Sequence, residues 1–186
     1  MENTGAVERL ADIAAANEEQ LRSIASATSL AELEALDGFS DLPLISDKLN
    51  AAEKKLFDEN PIVGAGVLLN AISAKSAALK LYEGSEAVQH NGNGDAFRHM
   101  YWNFLMADST VVGVTWAKKW ADAHETVSSA AIETKMDNYN NGRGRVLAGE
   151  GASGDKKKLR EYVGKGSCRI ISGGSLVQST KAGEKN

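Results

Sequence analysis

Between Asp95 and Arg143 the chain concentrates side chains that can do chemistry. Asp95, Arg98, His99, Trp102 and Asn103 fall in one stretch, His124 and Glu125 in a second, and Glu133, Asp137, Asn140, Asn141 and Arg143 in a third. Wound at about 3.6 residues per turn, the first stretch splits into an apolar face (Phe97, Met100, Tyr101, Phe104, Leu105) and a polar or amphipathic one (Asp95, Arg98, His99, Trp102, Asn103). A solvated face is normally built from Lys and Glu. Short or planar donors and acceptors suit a buried hydrogen-bond network or a ligand site better. The plain alternative is that Asp95 caps a helix and His99 bonds neighbouring backbone.

The chemistry these types support is proton transfer at an anion. His99 or His124 serves as general base or acid, and a carboxylate, Asp95 or Asp137, fixes its tautomer. Arg98 or Arg143 holds negative charge, with Trp102, Glu125, Asn140 and Asn141 as further substrate contacts. On its own helix face Glu125 lies with Lys118 and Asp122, which predicts a solvated carboxylate, and the tryptophans read most simply as core. Two His and nearby carboxylates could take a divalent metal. No His-Glu-x-x-His spacing supports one, so the residues require no cofactor and a metal-free site is the simpler expectation. A Gly-x-Ser-x-Gly elbow and a phosphate-binding P-loop are absent from the sequence, and the glycines of Gly149–Gly154 read as a flexible turn with no strand ahead of them, so they make no dinucleotide fingerprint.

Positioning these residues requires helices. Apolar residues from Val7 to Ile24 predict a helix over Ala6–Ala27. Ser29 with Glu32 predicts a short one from Leu30 to Gly38, followed by a connector to Asp47. Asn50 with Glu53, and Asn60 before Pro61, cap the next two, the second running to about Tyr82. After a Gly- and Asn-rich loop, helices are expected from Asp95 to about Ala107, Thr110 to about Ser128, and Ser129 to Asn141, the last stopped by Gly142 and Gly144. A basic helix over Asp155–Tyr162 and a hairpin pairing Cys168–Ile171 with Leu176–Gln178 complete the chain. The expected fold is mainly α, a compact multi-helix domain with a small C-terminal β-hairpin. N-terminal helices and connector (1–48) pack on a motif-bearing body (49–180). Short loops and the small Ala117 and Ala121 let the three polar stripes converge. His99 and His124 are expected in one cleft, with Asp137 or Asn141 within hydrogen-bonding reach of an imidazole.

Composition narrows the function classes. The 186 residues are 42% hydrophobic with two prolines and a net charge of -4, a globular pattern whose field does not attract nucleic acid. Cys168, the single cysteine, excludes an internal disulfide and multi-Cys metal sites. Glu2, Glu8 and Asp12 among small residues predict no Sec signal peptide. The apolar window Ile62–Ile72 falls short of the roughly 20 residues that span a bilayer, so it reads as core and membrane disruption is a minor alternative.

Three strings carry a resemblance: Asn93-Gly-Asp-Ala-Phe-Arg-His-Met-Tyr-Trp-Asn, Ala123-His-Glu, and Met136-Asp-Asn-Tyr-Asn-Asn-Gly-Arg143. Together they resemble an uncharacterised bacterial domain found in secreted proteins and at the C-terminal ends of polymorphic toxins. The likeness reaches upstream to Leu49 and Asn60-Pro61 and downstream to the hairpin. Met100 departs from the small residue expected there. The resemblance implies a toxin-like antibacterial effector, delivered by a specialised secretion route without a cleavable signal and active in the target cell's envelope or periplasm. Its implied partners are an immunity protein and a secretion carrier. The expected activity is that of a hydrolase or lyase on an anionic or phosphoester-containing envelope component. The alternative is a non-enzymatic binding domain in which the same residues form a structural hydrogen-bond network.

Overall fold

A computed structural model describes residues 6–27, 45–127 and 130–186. The expected helix at Leu30–Gly38 lies outside them. The fold is mainly helical and ends in a two-stranded antiparallel hairpin, as the sequence predicts. In chain order the elements are α1 (Ala6–Ala15), α2 (Glu18–Ser26), α3 (Ala51–Glu59), α4 (Pro61–Leu81), α5 (Glu86–Gln89), α6 (Asn93–Asp108), α7 (Gly113–His124), a 3-10 turn (Glu125–Val127), α8 (Ala131–Gly149), α9 (Lys156–Gly164), β1 (Arg169–Ser172) and β2 (Ser175–Gln178).

The capped starts form as their residues dictate. Asn50 accepts from the backbone of Ala52 and Glu53 while Glu53 returns a bond to Asn50, and Asn60 accepts from Val63 ahead of Pro61. The single helix expected over Ala6–Ala27 is instead two. Asn17 turns its amide back onto the Ile13 carbonyl at 2.7 Å, taking a helical acceptor and starting a new helix. Both halves then lie on α4, burying Val7, Leu10, Leu21 and Ile24. A straight helix would carry one of them off the body.

Helix α4 is the spine of the first core. Its 21 residues are long and apolar enough to cross a membrane by length and composition, which corrects the eleven-residue estimate. Half of its most apolar window is buried inside the fold, against α1, α2 and α6. A second core joins α6, α8 and α9 through Phe97, Met100, Phe104, Leu147, Leu159, Val163 and Cys168.

Helix α8 also corrects the sequence reading, because it runs through Gly142 and Gly144 to Gly149. Neither residue stops the helix. A Cβ at Gly144 would collide with the Met100 carbonyl oxygen and reach the Phe104 amide nitrogen at 2.9 Å. The glycine is there so that α6 and α8 can touch backbone to backbone. At the C-terminus, Ser172 pairs with Ser175 across Gly173 and Gly174, both with positive φ (55° and 75°), as a tight hairpin turn demands.

Candidate functional site

The close α6–α8 contact produces a ladder. On α6 and the residue turn before it stand Asn91, Asp95, His99 and Asn103, and on α8 stand Glu133, Asp137, Asn141 and Arg145, each set spaced by four. Three rungs join residues 42 apart: Asn91–Glu133 at 3.0 Å, His99–Asn141 at 3.3 Å and Asn103–Arg145 at 2.5 Å. A constant offset means that the two helices run parallel, with α7 crossing back between them in sequence. The four-residue ridges of the two helices interlock, so what each stripe carries meets the other.

His99 sits at the centre, 1% exposed at its side chain. Its Nε2 faces Asp95 Oδ1 at 3.4 Å and Asp137 Oδ1 at 3.5 Å. Its Nδ1 faces Asn141 Oδ1 at 3.3 Å, with Glu125 Oε1 at 3.8 Å. The tautomer follows from a chain of donors. Arg145 can only donate, so Asn103 presents Oδ1 to it and Nδ2 to Asn141 Oδ1 at 2.7 Å. Asn141 in turn donates through Nδ2 to Glu125 Oε1 at 3.0 Å. Asn141 Oδ1 is therefore what His99 Nδ1 meets, and Nδ1 carries the proton. The Nε2 lone pair of a neutral ring then points at two carboxylate oxygens.

Three carboxyl groups, Asp95, Asp137 and Glu125, crowd one imidazole, and the guanidinium of Arg98 donates to Asp95 Oδ1 at 2.7 Å and to the Gln89 carbonyl at 3.1 Å while facing Glu8 Oε1 at 3.7 Å. Burial disfavours the Asp95 anion, but Arg98, His99 and the Asn91 N–H at 2.7 Å outweigh it and hold the carboxyl well below its usual range. Asp137 is shifted the other way, raised first by burial and then by the Asp95 and Glu125 carboxylates, against the pull of His99. Burial alone would lower His99. Asp137, Asp95 and Glu125 together overcome that and push it up to about 9. Asp137 Oδ1, Glu125 Oε2 and Arg98 Nε are buried without a hydrogen-bond partner. The donor atoms of Asp95, His99 and Asp137 lie within 4.8 Å of one another, a group that could bind a metal ion.

The other expected residues are placed as follows. Glu125 is buried, not solvated: α7 ends at His124 and the chain tightens into a 3-10 turn, which swings Glu125 off the exposed Lys118–Asp122 face. His124 binds a different carboxylate, with Nδ1 2.6 Å from Glu53 Oε1, while Glu53 also accepts two bonds from Arg9 at 2.6 and 2.7 Å. Trp102 donates to the Val67 carbonyl at 3.2 Å and meets the His124 ring edge-on, tying α6 to α4. Asn140 clamps the hairpin, donating to the Arg169 carbonyl at 2.9 Å and accepting its N–H at 2.8 Å. Arg143 lies over the Tyr162 ring, 5.9 Å from its centroid. The arginine on the ladder is Arg145, which the sequence reading passed over although it stands four residues beyond Asn141. Asn103 was read only as part of the stripe, and its i+4 spacing from His99 was the signal for its role.

Asp95 neither caps α6, whose N-cap is Gly92, nor faces solvent. It braces the turn ahead of the helix, where Asn91 has a φ of 61°. No curated protein and no solved structure matches the chain. Residues 54–167, which hold the whole ladder from Asn91 to Arg145, match the family described as Domain of unknown function (DUF6973), and the chain belongs to that family.

Proposed function

We propose that this domain is a hydrolase or lyase acting on an anionic, phosphoester-containing component of the bacterial envelope, with His99 as its proton-transferring group. Asp95 and Asp137 set the charge at Nε2, Asn141 fixes the ring, and Arg98 and Arg145 supply positive charge on either side. The observation that carries this reading is the unsatisfied charge around His99. Each buried orphan costs about 1–3 kcal/mol, and the Glu53 cluster carries one, His124 Nε2. In the His99 cluster three buried polar atoms have no partner. Such unpaired, perturbed groups concentrate where function is selected over stability. The toxin-like context, with an immunity protein, a secretion carrier and delivery without a cleavable signal, is supported by the motif resemblance.

The test is expression of the chain in bacterial cytoplasm and, separately, behind an added export signal. Killing is expected on export, and its loss in His99→Ala and in the near-isosteric Asp137→Asn, both folded by circular dichroism. His124→Ala is expected to reduce killing only as far as it reduces the folded fraction. A folded His99→Ala variant that kills like wild type overturns the reading.

The alternative, a binding domain with a structural network, is favoured by the burial of His99 and His124, at 1% and 0% side-chain exposure. It requires both His variants to lose several degrees of melting temperature with no separable activity. Thermal melts of the two variants beside their killing assays decide between the readings.

A further inference from the structure

We propose that Asp95, His99 and Asp137 form a tetrahedral, zinc-type divalent-cation site, with His99 Nε2 and one oxygen of each aspartate as protein ligands. This rests on the same centre and goes beyond the acid–base reading: with an ion bound, the Nε2 lone pair is a ligand and His99 holds the ion and no longer transfers the proton.

Three features converge on a cation. With Nδ1 bonded to Asn141, Nε2 is the ring nitrogen that faces the two aspartates, and an ion binding there displaces the proton that the carboxylates otherwise keep on the ring. Its separations of 3.4 and 3.5 Å exceed the 2.7–3.2 Å or so of an N–H···O bond. They equal the edge of a tetrahedron whose ligands stand about 2.1 Å from a central zinc, which is about 3.4 Å. Asp137, 8% exposed, aims its unpartnered Oδ1 into this gap.

The surroundings hold the ligands as metal sites require. Asp95 is fixed by Arg98 and the Asn91 N–H, and His99 by Asn141, which Glu125 and Asn103 hold in turn. An imidazole nitrogen with two oxygens selects a first-row transition ion. Calcium takes six to eight oxygens or so and magnesium an octahedral, largely hydrated shell, and neither matches this donor set.

The experiment uses the full chain after chelator treatment, titrated with Zn²⁺ alone and, for a spectroscopic signature, with Co²⁺ alone. Wild type is expected to bind one equivalent of Zn²⁺, to gain several degrees in melting temperature, and to show the intense visible bands of tetrahedral Co²⁺. Asp137→Asn, which keeps the side-chain shape, is expected to lose at least tenfold in Zn²⁺ affinity. His90→Ala, which removes the half-exposed histidine beside Glu133, is expected to bind normally. Wild type that binds no Zn²⁺, an Asp137→Asn variant that binds as tightly as wild type, or binding abolished by His90→Ala overturns the site. If Zn²⁺ fails to bind while His99→Ala still abolishes killing, the metal falls and the acid–base reading stands. If Zn²⁺ binds and His99→Ala still kills, the site stands and the catalytic reading falls.

Discussion

Gly142 and Gly144 lie two residues apart within α8, yet alanine at the two positions is expected to act in opposite directions. A Cβ at Gly142 meets only Arg145 Nη2 at 3.7 Å, an ordinary contact. Alanine is favoured over glycine inside a helix by about 1 kcal/mol, so Gly142→Ala stabilises by about that amount. At Gly144 the same gain is opposed by collision with the Met100 carbonyl, with Phe104 N at 2.9 Å and Asn103 Cβ at 3.0 Å. Overpacking costs about 1–3 kcal/mol, and the upper end applies because the obstacle is helix backbone that cannot rotate aside. Pushing α6 from α8 also lengthens the Asn103–Asn141 and Asn103–Arg145 bonds, each worth about 1 kcal/mol. The net loss is about 2–4 kcal/mol. In a chain of this size 1 kcal/mol moves the melting temperature by about 2–4 °C. Calorimetric melts should therefore place Gly142→Ala about 2–4 °C above wild type and Gly144→Ala about 5–15 °C below it. Equal shifts of the same sign would refute the backbone-contact role of Gly144 and with it the origin of the ladder.

Acid should weaken the Glu53 cluster. Burial raises Glu53, but the His124 and Arg9 bonds exceed that and hold it below 4.5. A lowered folded value contributes stability that is full above the unfolded value and lost as pH falls through the folded one. Melts from pH 7 to pH 3 should show wild type falling more steeply below about pH 4.5 than Glu53→Gln, which lacks the titrating group. His124→Ala should cost about 3 kcal/mol by urea midpoint, the low end for breaking a buried pair, because Glu53 keeps Arg9. Asn140→Ala removes both bonds to Arg169 and should cost about 2 kcal/mol, with hairpin amides exchanging faster than those of α8. The Cys168 thiol, pushed up to about 12 by burial, should resist a disulfide-exchange reagent in native protein and react at once in denaturant.

Local signals were legible and tertiary ones were not. The caps at Asn50 and Asn60 depend on residues two or three positions away, and both form. The four-residue spacing of Asp95, His99 and Asn103, and of Asp137 and Asn141, marked both halves of the ladder before any coordinates existed. What spacing could not give was the partner. Glu53 lies 71 residues from His124, and no periodicity within either helix announces it. The reading of Gly142 and Gly144 as a stop failed because a glycine that ends a helix and one that admits a neighbouring backbone look alike in sequence. Glu125 was misplaced because a helical wheel assumes 100° per residue or so, and the 3-10 turn does not keep it.

Where each motif side chain finds its partners separates chemistry from construction. His124 bonds Glu53, Asn140 bonds Arg169, and Asn93 bonds Thr180 and Ala182. All of those partners lie outside the family-matched segment 54–167. These three side chains fasten the flanks to the body, and a fragment cut to the matched segment would leave each with unpaired buried atoms. The His99 centre differs. Asp95, Asp137, Glu125, Asn141, Asn103 and Arg145 all lie inside the segment, and each lies in direct reach of His99 or of a side chain that touches it. Among the described residues only Arg98 looks outward, to Glu8 at 3.7 Å on α1. The segment thus contains one self-sufficient polar centre and a set of anchors, and it is the centre that retains the unpaired oxygens of Asp137 and Glu125. Of the anchors, Asn93 and Asn140 pair both ends of their amides, whereas His124 leaves Nε2 buried and unpaired among the described residues. A centre that leaves carboxylate oxygens facing one imidazole is where the proposed cation would find its ligands.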